Sequence, residues 1–510
     1  MQQYLSGEAL VFSAKKDGSS EFEYSLPEYL PGISRIVKST TSVEKTVSRR
    51  EGNELYCDVS LKTGIIYVSD FGNKIKSVFF DETICVPMGE FTSSGEDYII
   101  IPSAFVSAVS SRPLNSRKFI CSCTYQTSIV VLEETGGKML ETDQDSGICT
   151  LKETRNLCRK ITLPEQLSEY EGEITIDSQA RAVGEIVFAD AVFCGATCTV
   201  SDSFLEYEGK FMLHILYETA KDEEASDSSY AVITAPITIK NSIENDKIKS
   251  GQQGFVYLDA AKPQPSAAFD GYGENRVISF VLKYSALLVL FEKFDVQTVK
   301  DAFSEKSDIT PVITKAAVHL PRYTVSENVR MSEAIKTDIG NLAEISDCAS
   351  KILSVTTEYS DSKFFSAAKC LVNIFGISKS GELSCLDGIV TLHVPLMQGT
   401  ALDRNCVPEI LLSIRDCTAE VREGAVNVTF DIVTNGVITE KTELNVVSDI
   451  EVGSVPAAKK HRGEIVICYP SKDEGLWDIA KKYRVNPDTI MHANNMEKDD
   501  ISAKHILLIP

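Results

Sequence analysis

Hydrophobic and polar residues alternate along much of the chain. In the segment FMLHILY, Phe211, Leu213 and Ile215 fall on one face, whereas Met212 falls on the other. The segment AVNVTFDIVTNGVI, at residues 425–438, alternates in the same way. A period of two residues is typical of antiparallel strands with one buried face. The pattern therefore predicts a mainly β fold.

Three segments share a leucine–proline start, a later strand-like run and then another proline. The starts are LPEYLPGISRI at Leu26, LPEQLSEYEGE at Leu163 and LPRYTVSENVR at Leu320. Two later positions recur in the three segments at similar spacings. The first is an aromatic residue, Tyr67, Tyr217 or Phe375, and the second is a proline, Pro87, Pro236 or Pro395. Because two independent markers move together, we predict an internal repeat. The predicted β-sandwich-like repeats span residues 1–145, 150–307 and 310–453.

Several shorter segments carry signals for turns, loops or a helix. The Gly72-Asn73 pair is typical of a hairpin turn between two strands. Acidic or Pro- and Gly-rich composition predicts loops at residues 221–229 and 259–275. Residues 326–345 admit a helix with Ser326 as its N-cap, as an alternative to a strand.

Residues 463–510 have a different pattern, which predicts a small β-α-α-β domain. Leu476, Ile479, Ala480 and Tyr483 recur at the spacing of one helix face. The segment LWDIAKKY is therefore expected to form an amphipathic helix.

A second helix is predicted directly after the first. Asn486 is a good N-cap residue, and Pro487 suits the first helical position. Val485 and Ile490 have the spacing of a hydrophobic staple. The apolar segments IVICY and HILLIP provide a short strand on either side of the two helices.

This small domain resembles the LysM family in three segments, LWDIAKKY, VNPDTIMHANN and ILLIP. The resemblance implies binding of N-acetylglucosamine-containing glycans such as peptidoglycan through two adjacent loops. The residues that these loops place at the implied site are Ser471, Lys472, Asp473, Glu474, Gly475, Trp477, Asn494, Asn495, Met496, Ala503 and Lys504. The loops depart from the family pattern at Asp473-Glu474-Gly475 and at Ala503-Lys504, and they suit a protein partner equally well.

Trp477 is the only tryptophan of the chain, and two roles are open for it. An exposed indole would stack on a ligand or act as an interface hot spot. Alternatively, the indole packs its helix onto the small sheet, because so small a domain has little other apolar surface to bury.

Composition and charge narrow the possible partners. The formal net charge of −22 repels nucleic acid and anionic lipid, so we predict neither as a main partner. The most apolar segment, residues 277–291, is interrupted by Lys283 and is too short to span a bilayer. The first residues lack the pattern of a signal peptide. Fourteen scattered cysteines without a disulfide-like framework predict reduced and mostly buried thiols.

Candidates for chemistry are few. Cys121 and Cys123 share one strand face, and Cys194 and Cys198 are close in sequence, but the histidines do not cluster with them. Motifs for nucleotide phosphates, for a nucleophile elbow and for a zinc protease are missing from the sequence. We therefore predict a non-enzymatic protein with no catalytic residue, no metal and no cofactor.

The repeats together with the LysM-like domain resemble the SPOCS-domain proteins of spore-forming Clostridia. The segments that carry this resemblance are LPEYLPGI at Leu26, SLKTGIIYVSD at Ser60 and NSRK at Asn115. The resemblance implies a spore morphogenesis scaffold in the mother-cell cytoplasm, at the forespore or coat surface. It also implies docking of the LysM-like domain onto a coat ATPase of the stage IV sporulation protein A type. The alternative is a protein that binds peptidoglycan or lipid-linked wall precursors.

Overall fold

The computed structural model describes residues 5–72, 74–92, 98–137, 140, 147–220, 229–335, 342–379, 381–422, 425–456, 466–471, 474–497, 501 and 506–510. β-Strands make up most of the described chain, and two short helices lie between residues 476 and 493. The predicted mainly β fold is confirmed.

Most strands are long, and several exceed 25 residues. The first six are β1 (Leu5–Ser25), β2 (Ile33–Glu51), β3 (Glu54–Ser69), β4 (Ile75–Glu90), β5 (Tyr98–Asn115) and β6 (Lys118–Gly137). The next seven are β7 (Ile148–Thr175), β8 (Val183–Ser201), β9 (Phe204–Thr219), β10 (Tyr230–Glu244), β11 (Gln253–Ala260), β12 (Gln264–Phe269) and β13 (Asn275–Ser304). The remaining elements are β14 (Ser307–Ile335), β15 (Leu342–Ser360), β16 (Lys363–Ser378), β17 (Leu383–Pro395), β18 (Cys406–Arg422), β19 (Ala425–Pro456), β20 (Val466–Cys468), α1 (Leu476–Tyr483), α2 (Pro487–Ala493) and β21 (Leu507–Ile509).

One strand order occurs three times before the helices. We name β1–β6 unit 1, β7–β13 unit 2 and β14–β19 unit 3. In each unit the second, third and fourth strands form one antiparallel sheet, and the first, last and fifth strands form another. The two sheets of each unit enclose a hydrophobic core. The second sheets of units 2 and 3 join edge to edge, because His319 of β14 pairs with Cys158 of β7.

The second strand of each unit bends at three β-bulges that have the same spacing. The register shifts begin at Ile33, Ile36 and Val43 in β2, at Val183, Ile186 and Phe193 in β8, and at Leu342, Ile345 and Ile352 in β15. Each extra residue kinks its strand and changes which side chains face the core. This recurrence agrees with an internal repeat, although the residue bounds of the repeats stay a prediction.

The bulges correct the alignment of the sequence markers. Tyr67 and Tyr217 each pair with the residue at which the second shift begins, and Gly376 holds that position in unit 3. Phe375 is one residue earlier and therefore points to the opposite face. Pro236 is also out of step with the marker prolines of the other two units.

Two local predictions were wrong for the residues that the structure describes. The helix over residues 326–345 is replaced by the end of β14 and the start of β15, because Val325, Val329 and Met331 point inward at a period of two. The loop at residues 259–275 contains β12, which pairs with β13. Most of the other predicted loop, at residues 221–229, lies outside the described residues.

The three bulged sheets meet at one shared hydrophobic cluster. Ile66, Leu216 and Phe375 hold equivalent positions in it, one from each unit. Phe188 of unit 2 belongs to the same cluster, and Phe79 of unit 1 packs against it. A core to which every unit contributes fixes the units as one body.

Polar contacts between the units surround this cluster. The buried Lys38 of unit 1 forms an ion pair with Asp387 of unit 3. His214 Nδ1 of unit 2 lies 2.9 Å from Oδ1 of Asp347 in unit 3, and both side chains are buried. Lys38, Phe188 and Asp347 follow the second register shift of their respective strands, so equivalent positions hold a base, an aromatic ring and an acid.

Candidate functional site

The described residues between 466 and 510 fold as the predicted β-α-α-β domain. Strands β20 and β21 pair antiparallel, and helices α1 and α2 lie between them in sequence. The predicted helix face is correct, because Leu476, Ile479 and Ala480 are buried in the core of this domain. Local signals therefore specify these elements.

The loop before α1 is held by its own backbone and by two carboxylates. The Ser471 N–H donates to Glu474 Oε2 at 2.9 Å, and the Glu474 N–H donates to the Ser471 carbonyl at 3.2 Å. The N–H of the N-cap residue Gly475 donates to Asp478 Oδ2 at 3.0 Å. The Ser471 hydrogen bonds lower the pKa of Glu474, which is partly exposed. The Glu474 carboxylate thus stays ionised and shapes the loop.

Helix α2 begins as the sequence predicts. Asn486 is its N-cap, and its side-chain oxygen accepts the Asp488 N–H at 2.9 Å. Pro487 occupies the first helical position, and Val485 and Ile490 are both buried in the domain core. The cap satisfies a backbone donor that would otherwise lack a partner.

The loop after α2 is anchored by Asn494. Its side-chain amide donates to the carbonyls of Ile490, at 2.8 Å, and Leu508, at 2.7 Å, and its oxygen accepts the Leu508 N–H at 2.7 Å. Asn495 follows in the left-handed backbone conformation and is exposed, while Met496 packs partly against the core. Asn494 therefore positions the start of the loop, and the side chain of the neighbouring Asn495 is exposed to solvent.

Trp477 packs against a cluster that joins the core of its own domain to Phe303 of unit 2. Its ring is edge-on to Phe303 of β13, with 5.0 Å between the ring centroids. Its indole N–H donates to Asp301 Oδ2 at 2.9 Å. Phe303 and Cys149 belong to the same buried cluster as the domain core. The indole thus has the packing role, and unit 2 provides a contact that the sequence analysis did not predict.

Ion pairs extend this contact along α1 and the turn that follows. Lys481 Nζ lies 2.6 Å from Asp301 Oδ2, and Arg484 Nη2 lies 2.5 Å from Asp308 Oδ1. The Asn486 N–H also donates to Glu305 Oε1 at 2.7 Å. The sequence analysis missed these acidic residues of the β units. A signal was present, because the acidic segment DAFSEKSD at residues 301–308 has the opposite charge to the basic end of α1.

Burial alone would raise the pKa of Asp301. Hydrogen bonds from Lys481 and Trp477 outweigh that effect and hold the pKa of this carboxyl below its usual value. Asp301 is therefore ionised at neutral pH, and its charge is matched by a cation and an N–H donor.

The candidate loop residues divide into described and undescribed positions. Ser471, Glu474, Gly475, Asn495 and Met496 lie in the two loops, and the hydrogen bonds and ion pairs that join the domain to the β units come from α1 and the turn after it. The predicted site residues outside the described part of the chain are Lys472, Asp473, Ala503 and Lys504. The contact between this domain and the β units thus leaves the described loop residues Ser471, Gly475 and Asn495 exposed.

The comparisons with known proteins address this same region. A LysM domain model matches residues 472–510. LysM is a binding domain for peptidoglycan-type carbohydrate and is not a catalytic one. No curated protein and no solved structure gives a significant match to the chain.

Other titratable groups of the β units have structural surroundings. Burial raises the pKa of the Cys123, Cys194 and Cys198 thiols to about 11, and it also raises the pKa of Cys121. Within the described ranges no three His, Cys, Asp or Glu side chains come together as metal ligands would. No helix in the described part of the chain is long and apolar enough to cross a membrane.

Proposed function

We propose that this protein is a non-enzymatic scaffold whose LysM domain binds a peptidoglycan-type glycan through its two loops. The observation that carries the proposal is the LysM match at residues 472–510, together with the exposure of the described loop residues Ser471, Gly475 and Asn495. The LysM domain contacts the β units through Trp477, Lys481 and Arg484. These contacts do not involve Asn495, which is exposed and open to a ligand.

The geometry of the second loop supports this role. The side-chain amide of Asn494 bonds the backbone of Ile490 and Leu508, which fixes the chain next to Asn495 before any ligand arrives. A binding residue on a fixed backbone loses less conformational entropy on binding than one on a mobile backbone. The exposed amide of Asn495 can then donate to and accept from sugar hydroxyl and acetamido groups.

Isothermal titration of the full chain with chitin oligomers tests the glycan proposal. We expect saturable binding that Asn495→Ala weakens about tenfold, the loss of roughly one net hydrogen bond of about 1.4 kcal/mol. Asn156→Ala is the matched control, because Asn156 is an exposed asparagine of β7 that bonds Asp295. The absence of saturable binding, or equal loss in both variants, would refute the proposal.

A second candidate function is docking onto a protein of the spore coat. The ionised Glu474 in the first loop favours it, because a fixed carboxylate suits a basic protein surface better than a neutral sugar. The resemblance to SPOCS-domain proteins adds the setting: the mother-cell cytoplasm, at the forespore or coat surface. The partner proposed on that basis is a coat ATPase of the stage IV sporulation protein A type.

Pull-down with that ATPase separates the two functions. Full-length chain is compared with a chain ending before Gly463 and with Glu474→Gln in the full chain, which keeps the domain in place. Protein docking predicts capture by the full chain, loss on truncation and weaker capture by Glu474→Gln. Unchanged capture after truncation contradicts docking through the LysM domain.

A further inference from the structure

A cavity of about 420 Å³ lies where the three units meet. Strands β2 and β5 of unit 1, β8 and β11 of unit 2, and β15 to β17 of unit 3 contribute to its wall. Ser103 and Ile389 on its lining are exposed, so the cavity is open to solvent. Its volume is in the range of sites that hold small organic ligands.

Each unit contributes one lysine to the lining. Lys38 forms its ion pair with Asp387, and Lys351 Nζ lies 2.7 Å from Asp259 Oδ1. The positive charges of these two side chains are therefore neutralised by carboxylates of neighbouring units. The third lysine, Lys262, lies in the connection between β11 and β12.

Lys262 has a different environment. Its Nζ donates to the Thr40 hydroxyl at 2.8 Å and lies 4.9 Å and 5.0 Å from the ring centroids of Phe79 and Phe188. An ammonium has three N–H donors, and no ion pair to Lys262 occurs within the described residues. Burial lowers the pKa of Lys262 to about 8, so most molecules still carry this charge at pH 7.

We propose that the cavity binds a small organic anion, with its carboxylate or phosphate group against the Lys262 ammonium and its body beside Phe188 and Tyr257. Lys262 is half-buried and forms no ion pair within the described residues, and an oxyanion supplies acceptors for its remaining N–H donors. The carboxylates of Asp190 and Asp259 also line the cavity and repel further negative charge. The site therefore favours a ligand with one anionic group. This inference is independent of glycan binding by the LysM domain.

Benzoate, phenyl phosphate and benzamide are the probes. Benzoate and phenyl phosphate carry the two anionic groups on one aromatic body, and benzamide is the neutral analogue of benzoate. Titration calorimetry with the full chain is expected to show at least one anion binding with a Kd below about 1 mM, and benzamide binding at least tenfold more weakly. The stronger anion identifies the preferred head group.

Lys262→Met should weaken binding of the preferred anion at least tenfold. Lys315→Met removes an exposed lysine of β14 and should leave the affinity unchanged. Two results would overturn the proposal in the wild-type protein alone: neither anion binds, or benzamide binds as tightly as benzoate. Full affinity in a folded Lys262→Met variant would also overturn it.

The pH dependence of benzoate binding is an independent readout on wild-type protein. The charged groups that act on Lys262 are Asp190 and Glu44, which raise its pKa, and Lys38 and Lys62, which lower it. Because deprotonation removes the positive charge, affinity should fall as pH rises through about 8. The range from about pH 6.5 to about pH 9.5 spans the titration of this amine. A benzoate affinity that stays constant over that range contradicts a role for the Lys262 ammonium.

Discussion

Replacement of Asp301 by alanine should release the LysM domain from unit 2. Asp301 accepts the Trp477 indole N–H and the Lys481 ammonium, and its side chain is 26% exposed. A hydrogen bond to a charged group contributes about 1.5–3 kcal/mol. The Lys481 pair is 44% exposed on the lysine side and therefore contributes less, about 0.5–1 kcal/mol.

The combined loss is about 2–4 kcal/mol, which lowers the docking equilibrium constant by roughly 30- to 900-fold. The contact between Trp477 and Phe303, worth about 0.5–1.5 kcal/mol, remains and opposes release. The Arg484–Asp308 ion pair and the hydrogen bond from the Asn486 N–H to Glu305 also remain. Asp301→Asn separates the two contributions, since an amide oxygen can still accept the indole N–H but does not neutralise Lys481.

Fluorescence reports this change directly, because Trp477 is the sole tryptophan. We expect Asp301→Ala to shift the emission to longer wavelength and to raise the rate of quenching by iodide. Asp295→Ala, on the same strand and bonded to Asn156, is the control and should leave both unchanged. If the emission wavelength and the iodide quenching rate of Asp301→Ala equal those of the wild type, Asp301 does not hold Trp477 against unit 2.

Acid should have the same effect as the substitution. The folded-state pKa of Asp301 is lowered, so its contribution is present above the ordinary pKa of an aspartate and is lost as pH falls through the lowered value. Trp477 emission in the wild type should therefore shift at acidic pH, and the Asp301→Asn variant should lack that step.

Three further predictions concern the described core and caps. Asp387→Ala should lower the free energy of unfolding by about 3 kcal/mol in denaturant titrations, because the buried Lys38 ammonium loses its carboxylate partner; a loss below about 0.5 kcal/mol contradicts this. Asn486→Ala should destabilise the LysM domain by about 1 kcal/mol, measured by hydrogen exchange of α2 amides. Diamide should cross-link Cys348 and Cys417, whose sulfurs lie 3.3 Å apart, and peptide mapping that finds both thiols free contradicts their proximity.

The LysM domain was predictable because its signals are local. The helical spacing of Leu476 and Ile479, the Asn486 cap and Pro487 all act within one or two turns. Its docking was not predictable, because Phe303 is far away in sequence and no periodicity links it to Trp477. Burial of the indole could be expected, but its partner could not.

The β units were predictable at the level of strands and not at the level of register. Alternation identifies a strand, but each bulge inserts a residue that the alternation does not reveal. For this reason Phe375 was matched with Tyr67 although Gly376 is its structural equivalent. The same limit hid the cavity, since Lys38, Lys262 and Lys351 come from three units and share no motif.

The equivalent positions Lys38, Phe188 and Asp347 have a consequence for how this chain can evolve. Each faces a complement in another unit: an acid for the lysine, a histidine for the aspartate and an apolar cluster for the ring. A copy of one unit cannot replace another, because a lysine in place of Phe188 would enter an apolar cluster without its acid. Substitutions at these contacts between units are therefore tolerated only when both partners change together. Gene conversion among the three segments would be selected against.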